Sequence, residues 1–220
     1  MIKGIIFDLD GTLLDSMYIW DSLGEVYLSS VGIVPQNGLK EILRPLSLYQ
    51  SACYLKKEYS LPFSVNKIID DINKMVEDYY IKEVQLKPGV KEFLDKLKQR
   101  NIKCCIATLT DRYQVEMALK RCCINEYFVN IITSTEVGHG KDEPFIYREA
   151  LKSLKCKKTE ALVFEDAVFA AKTAKDDGFN VVGIYDIHEK NNQEFMSLAD
   201  FYLTNYYDTE TFFEFVSQYK

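Results

Sequence analysis

A chain of 220 residues has room for one large domain, or for one domain carrying a smaller insertion. Its composition, 47% hydrophobic and 27% charged, is that of a soluble globular protein. A net charge of −6, from 27 basic and 33 acidic residues, excludes a general nucleic-acid-binding role, which needs a basic face.

No apolar run approaches the roughly 18 residues of a membrane span, and the opening residues lack a signal-peptide pattern. A cytoplasmic protein that does not engage a membrane is therefore expected. The six cysteines form two vicinal pairs, Cys104-Cys105 and Cys122-Cys123, and two singles, Cys53 and Cys156. They lack CxxC spacing and read as reduced core thiols. Only two histidines, His139 and His188, are present, so Cys–His catalysis has little to build on.

In chain order, the first strand candidate leads into IIFDLDGTLLDS, residues 5–16. An apolar run ends by delivering two carboxylates, Asp8 and Asp10, one residue apart. Gly11, Thr12 and Asp15 follow, Asp15 reading as a hinge or turn residue. Buried carboxylates are costly unless paired or bound to a cation, so the end of this strand needs positive charge nearby.

Residues 16–86 then read as helices: DSLGEVYLSSVGI (21–33), SLYQSACYLKKEY (47–59) and VNKIIDDINKMVEDYYIKEV (65–84). In the last, Val65, Ile68, Ile69, Ile72, Met75, Val76 and Tyr79 form one apolar face. The segment reads as a small all-α cap domain, 16–87, inserted into a core made of 1–15 and 88–220. Its hinges fall near Ser16–Met17 and Gln85–Pro88.

Beyond Pro88, strand-like runs at 102–107, 129–134, 161–165, 181–185 and 201–204 alternate with helical stretches at 90–100, 112–122, 144–154, 167–177 and 208–218. This rhythm predicts an α/β fold, a Rossmann-like parallel sheet with helices on both faces. Ligands in such sheets bind beyond the carboxyl ends of the strands. Those ends carry Asp8 and Asp10, then Thr108 and Thr110, then Glu165 and Asp166, with Lys141 in the loop after 129–134.

The carboxylates suit a hard divalent cation such as magnesium, and the lysine and threonine suit an anionic phosphate. Asp8 is placed to attack phosphorus and form an aspartyl phosphate. Asp10 is placed to protonate the leaving oxygen and then deprotonate the attacking water. Thr108, with the backbone N–H groups of Leu9 and Leu109, is the candidate cradle for phosphoryl oxygens, and Thr110 is the alternative hydroxyl. Lys141 would offset charge on Asp8 and the phosphoryl group. Trp20 and Arg44, in the helical insert, are candidate substrate contacts, although Trp20 also reads as core and Arg44 as a solvated side chain.

The whole pattern resembles the haloacid dehalogenase superfamily, in its phosphatase and phosphomutase branch with a helical cap after the first strand. DLDGT at 8–12 matches the first motif, IATLT at 106–110 the second, GKDEPFIY at 140–147 the third and FEDAVFAAKTAKDDG at 164–178 the fourth. The resemblance implies that Asp8 is the nucleophile and a magnesium ligand. It implies that Asp10 is the general acid/base and lends its backbone carbonyl to the metal. It makes Asp166 a further ligand, Glu165 a direct or water-mediated one, and Thr108 and Lys141 phosphate-binding.

Asp10 also argues for phosphoryl transfer, since the dehalogenases of this superfamily lack that second carboxylate. Asp142 stands where the third motif usually has proline, and Ala167 and Ala170 replace a serine and a glycine of the fourth. The sugar mutases of the family carry a histidine where this chain has Trp20, and an arginine after a serine where this chain has Leu48 after Ser47. Hydrolysis of a small organic phosphate, such as a sugar phosphate, is therefore expected. A beta-phosphoglucomutase-type reaction is the alternative, and a non-catalytic binder of phosphorylated ligands is the alternative class. The expected partner is a small phosphate ester, and a monomer is expected.

Overall fold

A computed structural model describes residues 1–44 and 46–219. At its centre is strand β1 (Gly4–Phe7), every residue of which is buried. β1 pairs in parallel with β4 (Lys103–Thr108) on one side and β6 (Ala161–Glu165) on the other. β5 (Phe128–Thr133) extends the sheet beyond β4; β7 (Asn180–Ile184) and β8 (Phe201–Leu203) extend it beyond β6. The order is β5-β4-β1-β6-β7-β8, and every pairing is parallel. The chain thus leaves β1 towards one neighbour and later returns to the other. The carboxyl end of β1 is the switch point where such sheets bind ligands.

Alternation along the strands fills two apolar layers. Ile5, Phe7, Cys104, Ile106, Leu162 and Phe164 face one core, and Ile6, Cys105, Ala107 and Val163 face the other. Cys104 and Cys105 thus bury on opposite faces of one strand, and burial pushes the Cys105 thiol up to about 12. Both are free thiols, as are the other four. Helices α5 (Val90–Gln99), α6 (Arg112–Arg121), α8 (Phe145–Leu154), α9 (Val168–Asp176) and α11 (Thr209–Ser217) fall within one or two residues of the helical periodicity in the sequence. The apolar stripe of α5, Val90, Phe93, Leu94 and Leu97, is fully buried. Two short helices, α7 (Ser134–Val137) and α10 (Asn192–Leu198), complete this part. At four and seven residues they are too short to show a period.

Before α5 lies a different architecture. β2 (Leu14–Asp15) and β3 (Gln85–Leu86) form a two-stranded antiparallel ribbon, Leu14 opposite Leu86 and Asp15 opposite Gln85. Between them the regular elements are all helices: α1 (Met17–Ser30), α2 (Leu39–Leu43), α3 (Leu48–Glu58) and α4 (Val65–Lys82). α3 begins with a reciprocal capping box between Ser47 and Gln50, and α4 with the Ser64 hydroxyl accepting from Lys67 N–H. α1 begins four residues before the predicted 21–33. A tertiary contact fixes its first turn, where Trp20 Nε1 donates to Tyr80 Oη of α4 at 2.9 Å. The buried stripe of α4 is Ile68, Ile72, Val76, Tyr79 and Tyr80, so Tyr80 joins the predicted face while Val65, Ile69 and Met75 sit at its edge. Among the described residues, no helix is long and apolar enough to cross a membrane.

Candidate active site

Asp8 follows β1 directly, and its N–H still donates to Phe164 O at 2.9 Å, so the strand geometry of β6 sets its position. The register places it level with the ends of β4 and β6. Gly11 then takes a left-handed conformation, φ +81°, and turns the chain back so that its N–H donates to Leu14 O. A Cβ built on Gly11 would lie 2.3 Å from Asp166 Oδ2 and 2.7 Å from Met17 Cγ. Glycine is therefore required twice over. Gly11→Ala is expected to cost about 1–3 kcal/mol in urea unfolding, from backbone strain alone. Unchanged stability would show that the turn relaxes freely and that Asp166 does not depend on it.

Lys141 is the cation that the acidic strand ends call for. It is 2% exposed and donates to Asp8 Oδ1 and, at 2.7 Å, to Glu165 Oε1. Tyr147 Oη donates to the same Glu165 oxygen at 2.6 Å. Burial pulls the Lys141 ammonium down, but Asp8 and Glu165 together hold it above its ordinary value. Burial pushes the Asp8 carboxyl up to about 7, against the pull of Lys141 and with further upward push from Glu165 and Asp10. Asp166 is also driven well above the usual carboxylate range, by burial first and then by Asp8 and Glu165.

One buried ammonium thus faces three buried carboxylates. Asp8, Glu165 and Asp166 present oxygens that all lie within 4.8 Å of one another. Asp166 Oδ2 is buried and has no hydrogen-bond partner. An orphaned carboxylate oxygen in an all-oxygen cluster with excess negative charge fits a hard divalent cation.

Asp10 is held differently. Ser16 Oγ and Tyr80 Oη both contact its Oδ1, Ser16 at 2.6 Å, and Thr110 Oγ1 donates to its Oδ2 at 2.6 Å. One hydroxyl comes from the junction with the insert, one from α4 and one from the loop after β4. Tyr80 is buried, which with the adjacent Asp10 charge keeps its phenol well above the ordinary range.

The two threonines are therefore distinct. Thr110 engages Asp10, while Thr108, 1% exposed, accepts from Thr110 N–H at 3.1 Å and lines the cavity in front of Asp8. Leu9 is buried behind Asp8; Leu109 lines the cavity, and its carbonyl accepts from Ser134 Oγ.

Trp20 also lines that cavity, so it is not simply core. Arg44 lines it too, half-buried rather than solvated, and its buried Nη2 has no hydrogen-bond partner. Its Nη1 donates to His188 O at 2.8 Å and its Nη2 lies 3.3 Å from Glu189 Oε2. This corrects the reading of Arg44 as a solvated side chain; the charged loop 186–190, distant in sequence, holds it. Asp142 is exposed and leaves Lys141 to Asp8 and Glu165. His139 pairs with Glu143 and packs against Phe145, the two rings tilted by 33°, outside the cavity.

Sequence reasoning missed three members. Ser16 and Tyr80 reach Asp10 through tertiary packing that no local pattern encodes. Tyr147 did carry a signal, because it lies within GKDEPFIY, six residues after Lys141.

A family model described as "Haloacid dehalogenase-like hydrolase" matches residues 5–184. A phosphorylated carbohydrates phosphatase from Thermotoga maritima is 26% identical over 205 residues, covering 87% of this chain and 88% of its own. The crystal structure of CbbY from Rhodobacter sphaeroides, in complex with phosphate, superposes with a TM-score of 0.83 at 22% identity, covering 96% of this chain and 97% of that one. A beta-phosphoglucomutase from Clostridium difficile superposes with a TM-score of 0.82 at 20% identity, over 100% and 99% of the two chains. At these identities the two structures speak to the fold, which is the same α/β arrangement.

Proposed function

We propose, for a chain that belongs to the haloacid dehalogenase-like hydrolases, that it is a magnesium-dependent phosphatase of small phosphate monoesters working through an aspartyl phosphate. The observation that carries this reading is the buried Asp8, bonded to Lys141, with the unpartnered Asp166 Oδ2 in the same cluster. The 26% identical relative named for phosphorylated carbohydrates supports it, and sugar phosphates are the first compounds to assay.

The Asp8 carboxylate attacks phosphorus, and the bond from phosphorus to the alcohol oxygen breaks as Asp10 gives that oxygen a proton. Asp10 then takes a proton from water as the water attacks the phosphorus of the aspartyl phosphate. Phosphate leaves and the Asp8 carboxylate is restored. Lys141 balances charge on Asp8 and on the transferring group throughout. Thr108 and the N–H groups of Leu9 and Leu109 orient the phosphoryl oxygens. Ser16, Tyr80 and Thr110 hold the Asp10 carboxyl in one orientation. Asp8, Asp166, Glu165 and the Asp10 backbone carbonyl would hold magnesium, which supplies positive charge beside the phosphoryl oxygens. The helices between β2 and β3 act as a cap that excludes bulk water and selects the leaving group.

Release of inorganic phosphate from a panel of sugar phosphates, nucleotides and p-nitrophenyl phosphate tests this. Magnesium should raise the rate at least about 100-fold over EDTA, as expected for several kcal/mol of charge stabilisation. Equal rates in EDTA would overturn the metal assignment, and release from no compound would overturn the phosphatase.

A further inference from the structure

We infer that Trp20 and Tyr80 form a positioning relay through which the inserted helices aim the Asp10 carboxyl, so that Oδ2 is the oxygen that carries the proton to the leaving group and back. The inference rests on the phosphatase reading above and deepens it, from a general acid to the atom that works and the residues that select it.

The direction of the relay follows from donor and acceptor chemistry. An indole N–H can only donate, and an ionised carboxylate can only accept. Trp20 Nε1 lies 2.9 Å from Tyr80 Oη, so the phenol oxygen accepts there. The phenol's own hydrogen then goes to Asp10 Oδ1. Packing holds both partners in place. Tyr80 is fully buried in α4, Trp20 is half-buried in the first turn of α1, and the rings meet edge to face with centroids 6.5 Å apart.

Counting acceptor sites separates the two oxygens of Asp10. A carboxylate oxygen has about two lone-pair sites. Oδ1 meets the hydroxyls of both Ser16 and Tyr80, which fills it. Oδ2 accepts from Thr110 alone and keeps a site open. Asp10 lines the cavity with Asp8 and Trp20, so the open site serves the leaving oxygen. In the first step the proton passes from Oδ2 to the alcohol oxygen as that oxygen leaves phosphorus. In the second step it returns to Oδ2 from the attacking water. Without the Tyr80 hydroxyl, Oδ1 regains an open site and competes for the proton, so the acid is misaimed. Without the Trp20 N–H, the phenol is free to turn away from Asp10.

The test compares kcat/KM, which reports the steps through formation of the aspartyl phosphate, for two kinds of ester. One is the best-hydrolysed sugar phosphate of the panel above, whose alcohol must be protonated to leave. The other is p-nitrophenyl phosphate, whose nitrophenolate leaves as an anion. Tyr80→Phe should lower kcat/KM about 10- to 100-fold for the sugar phosphate and less than about threefold for p-nitrophenyl phosphate. Trp20→Phe should act in the same direction, about three- to tenfold. Its effect should vanish in the Tyr80→Phe background, because the relay is already broken there. Equal losses with both esters, or no loss, would confine Tyr80 to packing and overturn the inference while the phosphatase stands. A Trp20 effect that persists without the Tyr80 hydroxyl would make Trp20 a substrate contact and break the relay. Turnover of p-nitrophenyl phosphate alone would leave no acid to aim and would also overturn it.

A second measurement needs no turnover. Trp20 is the only tryptophan, so the protein has one indole N–H resonance. That resonance should move upfield and exchange faster with solvent in Tyr80→Phe, and move upfield in Asp10→Asn, where the charge that polarises the chain is gone. An indole signal indifferent to both changes would overturn the relay whatever the enzyme hydrolyses. A responsive indole with no hydrolysis of any ester would instead count against the phosphatase.

Discussion

Asp8→Asn should abolish turnover, by at least about 1,000-fold, while the protein stays folded. The amide keeps the size of the carboxylate but supplies neither a nucleophile for phosphorus nor an anion for the cation site. Its effect on stability has the opposite sign and depends on pH. In metal-free wild type the Asp8 carboxyl is raised from 3.8 to about 7, chiefly by burial. The unfolded chain therefore gives up that proton first. The contribution of the protonated group to stability is complete below 3.8 and lost as pH rises through about 7. Asparagine has no such titration. In EDTA, the Tm of the variant relative to wild type should climb between pH 4 and pH 7. A pH-independent difference would show that Asp8 is not buried as an acid. Residual turnover within tenfold of wild type would show that it is not the nucleophile, and would favour a binder of phosphorylated ligands or another catalytic group.

Lys141→Met should damage both folding and chemistry. Methionine fills similar volume but leaves Asp8 and Glu165 buried without their shared cation. Breaking a buried ion pair by removing one partner costs about 3–5 kcal/mol, readable as a lowered urea midpoint at neutral pH. Acidification should recover part of that loss, because protonating the orphaned carboxylates removes their charge. The rate of phosphate release should fall about 100- to 1,000-fold, the usual cost of losing one preorganised electrostatic partner. A variant as stable as wild type would mean that the three buried acids do not need the ammonium. A variant that unfolds but, when rescued by magnesium, turns over at the wild-type rate would confine Lys141 to a structural role.

The strands of the core were legible because their signal is local. β6 coincides with the predicted 161–165, and β4, β5, β7 and β8 fall within a residue of their predicted ends. Asp8, Glu165 and Asp166 could be nominated together because each closes a strand or opens the next loop, and a parallel sheet gathers such positions at one edge; Lys141, beyond β5 and α7, was nominated from GKDEPFIY. What stayed hidden depends on contacts between distant segments. Tyr80 looks like one more apolar residue of an amphipathic helix, yet its hydroxyl reaches Asp10 across 70 positions of sequence. Arg44 looks solvated until the loop at 186–190 folds over it. The ribbon of β2 and β3 has two residues on each side, too few for any periodicity, and forms only because the chain returns to the place it left.

That ribbon has a consequence for descent and engineering. The inserted helices enter and leave through paired strands, Leu14 beside Leu86 and Asp15 beside Gln85, whose Cα atoms lie only about 5 Å apart as in any antiparallel pair. The rest of the molecule therefore experiences the insert as a tight hairpin, whatever lies between. Lengthening, shortening or exchanging residues 16–84 leaves the spacing of that doorway unchanged, and a longer loop adds little closure entropy. The insert can therefore be exchanged as one graftable cassette, provided that the replacement keeps the hydroxyls that Ser16 and Tyr80 give to Asp10. A laboratory can do so by cutting and rejoining at these two positions.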